Sequence, residues 1–203
     1  MQETPARPGR TRETAFAITL IITGIIGWFA AFRLTIDKIE LLIHPQAQLD
    51  CNFSLLVQCG KNLESWQGSV LGFPNPLIGL GGFVAPIAVG VAVLAGAQFA
   101  RWFWIAFNIG VAGAMAFVIW LMTQSIFELG TLCPYCMLTW SVVIPMFLVL
   151  TGRNARDGVF GAGLRRAGTV FTQWVVTIDI LSYVVVALIA QWRLEWIQVL
   201  LLG

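Results

Sequence analysis

Hydrophobic positions along the chain fall into five runs separated by short polar connections: residues 14–36, 76–99, 102–126, 133–150 and 171–192. A helix needs about 20 mostly apolar residues to cross roughly 30 Å of hydrocarbon, so each run predicts a membrane span. The first is interrupted only by Thr, Gly and a late Arg33. Its basic approach (Arg7, Arg10, Arg12) looks like the start of a signal peptide. The apolar stretch is too long for that, however, and no small-residue cleavage site follows, so it reads as a retained helix. Residues 194–203 are too few to cross again and are expected at the interface.

Composition agrees with this pattern and excludes the alternatives. Of 203 residues, 58% are hydrophobic and only 11% charged, against about 25% charge in soluble domains. Such a chain cannot cover a water-facing surface, which rules out a soluble enzyme, a nucleic-acid binder and a disordered tail. It is an integral membrane protein. The single histidine, His44, leaves little room for a histidine-rich metal site or a Ser-His-Asp triad. The net charge is only +2, so the placement of basic residues matters more than their sum.

Orientation follows from the lysine and arginine bias of the short loops. With the N-terminus in the cytoplasm, Arg7, Arg10, Arg12, Arg101, Arg153, Arg156, Arg165 and Arg166 lie inside. Arg33, Lys38, Lys61 and Arg193 lie outside. The basic segment 152–170 is then a solvated cytoplasmic loop, a plainer reading than a nucleic-acid patch. Segment 37–75 and the short 124–132 connection face outward, and the C-terminus ends outside. Residues 54–65 mix apolar and polar positions, which suggests a short amphipathic helix on the membrane surface. Residues 68–76 carry turn chemistry, with Pro76 at the first turn of the next helix.

All four cysteines, Cys51, Cys59, Cys133 and Cys136, fall on the outer face, where disulfides persist. Cys133-Pro134-Tyr135-Cys136 opens a membrane helix. Its spacing puts both sulfurs on one face of the first turn, where unpaired N–H groups and the helix dipole favour a thiolate. Structural disulfides are one reading of the two pairs. A zinc site is another, which the C-x7-C spacing and the lack of a second C-x-x-C disfavour. The third is a relay, in which one pair takes electrons from a soluble thiol protein and passes them to the other. Cys136 lies about one turn inside the helix, within reach of a lipid-dissolved quinone, whereas Cys133 at its end is better placed to exchange with the loop.

Cys51-x7-Cys59 in the first outside loop, Trp66, Ser69, Asn75 and the later C-x-x-C resemble the vitamin K epoxide reductase family in its bacterial form, over roughly residues 16–150. DsbB-like oxidases carry the two pairs in the opposite order. The resemblance implies an all-α integral membrane protein: a four-helix transmembrane bundle over 14–151 with an extracytoplasmic cysteine-bearing cap loop, plus a fifth transmembrane helix in 171–203, after a cytoplasmic tail of residues 1–13. It implies Cys133 and Cys136 as the active-site pair, with Cys136 meeting the quinone (menaquinone, ubiquinone or vitamin K-like). Cys59 would form a mixed disulfide with Cys133, and Cys51 would exchange with a partner. Asn75 would hydrogen-bond a quinone carbonyl, with Ser69 and Trp140 nearby. Trp140 stands where animal members carry a tyrosine, and an indole is not an equivalent donor.

The bacterial resemblance also implies the inner membrane. Many bacterial relatives continue into a thioredoxin-like domain, for which a chain stopping at Gly203 leaves no room. A separate DsbA-like or thioredoxin-like partner is therefore expected. Asp179 in the fifth span is costly in hydrocarbon and is either functional or held by a hydrogen bond to another helix. His44 and Met137 are assigned no role.

Overall fold

A computed structural model describes residues 8–195 and 197. Residues 1–7 of the expected cytoplasmic tail, and 196 and 198–203 of the expected interfacial tail, lie outside the described residues. Every regular element described is helical: α1 (Pro8–Ile43), α2 (Gly60–Glu64), a 3-10 turn (Trp66–Ser69), α3 (Pro76–Gly82), α4 (Val84–Leu94), α5 (Arg101–Thr123), α6 (Pro134–Arg156) and α7 (Arg165–Leu194). Among the described residues, five helical stretches are long and apolar enough to cross a membrane, one for each predicted run.

α1, α3/α4, α5 and α6 form the bundle, and α7 packs on the outer side of α6. α1 approaches α4 closely because Gly24, Gly27 and Gly90 face it or lie on it. A Cβ at Gly27 would collide with the Phe83 ring, and one at Gly90 would press on the Ala17 carbonyl. Small residues of this kind let membrane helices pack closely. At the end bearing the α1 N-terminus, Arg153 pairs with Glu13 at 2.7 Å and lies over the rings of Trp104 and Phe16. Buried Asn154 reaches Asn108 at 3.1 Å across α5 and α6.

Several boundaries differ from the sequence expectation, each for a tertiary reason. α1 continues past Ile36 to Ile43, because Leu34, Asp37 and Leu41 form a buried stripe at helical spacing under the outside loop. The second span is two helices broken at Phe83. The break places Pro86 in the first turn of α4, where its missing N–H costs no hydrogen bond. The expected 124–132 loop is mostly helical: α5 continues through π-helical turns (Gln124–Leu129) until Gly130, at φ +64°, reverses the chain. The amphipathic helix expected over 54–65 shrinks to α2. The basic 152–170 loop narrows to 157–161, its flanks absorbed by α6 and by a second 3-10 turn (Ala162–Leu164) leading into α7.

Pro145 stands inside α6 and removes the bond its N–H would give the Ser141 carbonyl. The Tyr183 hydroxyl of α7 donates to that carbonyl instead, at 2.7 Å. Asp179 stands one turn earlier than Tyr183 on α7, with its Oδ1 buried and without a hydrogen-bond partner.

Candidate functional site

The outside loop folds over the α1 C-terminal end of the bundle as a cap. Two hydrogen bonds set its register: Leu132 N–H donates to the Leu56 carbonyl at 2.8 Å, and Gln58 N–H donates to the Leu132 carbonyl at 3.2 Å. They bring the residue after Gln58 against the residue after Leu132. Those residues are Cys59 and Cys133. Asn52 supports the arrangement by accepting from Cys59 N–H at 2.9 Å and Gly60 N–H at 3.2 Å, which caps α2. Leu34, Leu41, Leu49 and Leu63 pack around the sulfurs.

Cys51 and Cys59 are joined in a disulfide. Cys133 and Cys136 are free thiols, the first fully buried. Cys133 Sγ lies 3.3 Å from Cys59 Sγ, as a thiol donating to the disulfide sulfur. Cys133 is the N-cap of α6 with Pro134 in the first turn, and its sulfur accepts from Cys136 N–H at 3.4 Å. The C-x-x-C thus occupies the helix N-terminus that its sequence predicts. An anion on Cys133 would meet an unpaired N–H and the positive helix end.

Cys136, beside Cys133, also lines the wall of a cavity of about 470 Å³. Thr139, Trp140 and Val143 continue that wall along α6, with Phe83 opposite and Phe107, Val111 and Val118 on α5. Polar groups gather at the cap end: Asn62, Gln67, Asn75 and Gln124. The bulk of the lining is apolar. α4 and α5 are consecutive but lean on α1 and α6 rather than on each other, and between them the lining residue Ala114 is exposed. A cavity of this size, apolar with a few polar groups at one end, suits a ring bearing an apolar tail.

Residues 18–151 match the vitamin K epoxide reductase family. The chain belongs to that family. No curated protein and no solved structure matches it. Members are membrane thiol oxidoreductases that generally work with quinones and thioredoxin-like partners, and membership makes this chain an oxidoreductase in general. The match ends within α6, so α7 is an addition to the family bundle.

Within this vitamin K epoxide reductase frame, the structure brings together six of the seven site residues named from sequence, all but Ser69. The four cysteines form one sulfur chain from cap to cavity, and Trp140 lines that cavity. Asn75 lines it too, but its amide already holds the turn: Nδ2 donates to the Gln67 carbonyl at 2.6 Å, and Oδ1 accepts from Val70 N–H at 3.2 Å. Ser69 is not among the lining residues; its carbonyl closes a turn with Gly72. Trp66 is exposed and packs against Trp120.

Sequence reasoning missed Asp37, Asn52 and the Arg33–Tyr135 contact at 3.3 Å. For Asp37 the one signal was an acid in register with Leu34 and Leu41 just past the apolar run. For Asn52 it was an amide directly after a cysteine, which suits local capping.

Proposed function

We propose that the protein is a membrane thiol:quinone oxidoreductase supporting disulfide formation in exported proteins. A DsbA-like or thioredoxin-like partner outside delivers two electrons to Cys51/Cys59. They pass to Cys133/Cys136 by thiol–disulfide exchange and leave to a quinone from the bilayer. The orientation is N-terminus inward in a bacterial inner membrane, as the arginine bias requires.

The observation that carries this reading is the 3.3 Å approach of Cys133 Sγ to Cys59 Sγ, with Cys136 lining an apolar cavity. One sulfur meets the loop while the other meets the lipid side. The residues present fit a quinone. Trp140 and Phe83 offer flat apolar walls, and Asn75 keeps a second amide N–H beyond the one given to Gln67. The quinone supplies a sink for two electrons and two protons. The protein's own part is to hold Cys133 against Cys59, with the Cys136 N–H aimed at its sulfur, and to keep Cys136 in an apolar wall. No nucleic acid takes part.

The test is quinone reduction by the full chain in proteoliposomes, driven by a reduced thioredoxin-like protein. Cys136→Ala should abolish it, whereas Cys59→Ala should leave quinone binding intact and stop electron delivery. If each of the four single cysteine variants still reduces quinone at the parental rate, the relay is wrong.

A further inference from the structure

Asp37 is a buried carboxylate, 5% exposed, with Oδ2 3.5 Å from Cys51 Sγ. Asp37, Cys51 and Cys59 place their side-chain oxygen and sulfurs within 4.8 Å of one another. Burying a carboxylate is costly unless it is well paired. Its cation is shared: Arg33 stands 3.9 Å from Asp37 but also 3.4 Å from Asp50, and it donates to the Tyr135 hydroxyl. The other charged groups nearby do not serve, since Lys38 gives its ammonium to the Leu63 carbonyl at 2.7 Å and His44 is exposed. The neighbours of Asp37 on the buried face of α1 are leucines, so packing alone would favour an apolar side chain.

The geometry points to Asp37 as the proton acceptor that turns Cys51 into a nucleophile. This deepens the relay proposed above and rests on it. In the step concerned, Cys59 is joined to Cys133 and Cys51 is a thiol. The Asp37 carboxylate takes the Cys51 proton, and the thiolate attacks Cys59 Sγ. The Cys51–Cys59 bond forms, the Cys59–Cys133 bond breaks, and its electron pair leaves on Cys133. One disulfide is exchanged for another, so no outside oxidant enters.

The sulfur states in the structure are those reached after this step. The departing Cys133 sulfur is the one that accepts Cys136 N–H. A carboxylate beside a thiol cannot help by charge, because two anions repel; it helps only by taking the proton. Unaided, a thiol of ordinary pKa is only about 3% ionised near neutral pH.

The experiment starts from the full chain in nanodiscs with all four cysteines reduced. Menadione is added, and samples are acid-quenched, alkylated and read as disulfide-linked peptides by mass spectrometry. Asp37→Asn should lengthen the life of the Cys59–Cys133 disulfide about tenfold or more at pH 7. The difference should close toward pH 9, where the thiol ionises by itself, and Asp37→Glu should restore much of the rate. A parental lifetime and pH profile in Asp37→Asn would overturn the assignment. So would a slowing that no rise in pH relieves, since that marks a packing role. Cys51→Ala separates the two layers: if it accumulates no Cys59–Cys133 disulfide, the relay itself fails, whatever Asp37 does.

Discussion

Cys59 Sγ and Cys133 Sγ face each other at 3.3 Å across 74 positions of sequence. Neither lies in the pair with which the other shares its motif, so the contact joins the two pairs. Removing Cys51 should leave no thiol on the cap side to resolve a bond between them. We expect Cys51→Ala, reduced and then exposed to a quinone, to accumulate the Cys59–Cys133 disulfide as its main species. Peptide mapping under non-reducing conditions reads this directly. Recovery of Cys59 linked chiefly to Cys136 would contradict the geometry.

That contact depends on Gly130. Its φ of +64° lets the chain turn from the π-helical end of α5 into the Leu132–Leu56 bonding, and a Cβ there would meet only Leu194 at 4.0 Å. The cost of Gly130→Ala is therefore backbone strain, about 1–2 kcal/mol. Gly72 has φ +81° and equally open surroundings but lies away from Leu56 and Leu132. Both alanine variants should lower the thermal midpoint by a similar amount. Only Gly130→Ala should slow Cys59–Cys133 exchange, because it alone shifts the register. Equal slowing in both would show that general loosening of the cap, not register, controls the reaction.

The spans and the C-x-x-C were legible in sequence because their causes are local. Twenty apolar residues need lipid wherever they are, and Cys133-Pro134 starts a helix through Pro134 whatever surrounds it. The parts that were not legible take their cause from a partner element. α1 runs on to Ile43 only because the cap buries Leu41. α5 extends through Leu129 because Lys61 from the cap holds the Leu129 carbonyl and Ser125 closes onto Thr131. The Leu56–Leu132 pairing joins two loops with no periodicity of their own. Asn75 shows the limit of reading by resemblance: its position beside the cavity was foreseen, but not that its amide knits Gln67 to Val70.

The seam between α6 and α7 makes a non-additive prediction. Pro145 leaves the Ser141 carbonyl without a helical donor, and Tyr183 fills the vacancy. Tyr183→Phe should cost about 1 kcal/mol, the scale of an interhelical hydrogen bond in a membrane. With Pro145→Ala in place the carbonyl regains its own N–H, and the same change should cost close to nothing. A double-mutant cycle on denaturant unfolding in detergent reads the difference. Additive costs would mean that Tyr183 acts through packing alone. Because α7 lies outside the family match, Tyr183→Phe by itself should not alter sulfur exchange.

The cavity's open side can be tested apart from its sulfur chemistry. Ala114 lies on α5, exposed yet part of the lining, whereas Ala116, two residues on, is exposed and does not line the cavity. Tryptophan at 114 puts bulk into the space Cys136 faces; at 116 it adds the same bulk toward lipid. Neither position packs in the core, so both variants should fold. Ala114→Trp should raise the KM for quinone about tenfold, or ~1.4 kcal/mol of lost binding. Its kcat at saturating quinone should stay within about twofold of the parent, since a change that removes only binding raises KM and leaves kcat alone. Reduction of the Cys51–Cys59 disulfide by a dithiol should be unchanged, because that chemistry occurs on the far side of Cys133. Ala116→Trp should match the parent throughout. If both variants raise KM alike, bulk on the lipid face is responsible, and if Ala114→Trp leaves KM untouched, quinone reaches Cys136 by a path that avoids the gap between α4 and α5.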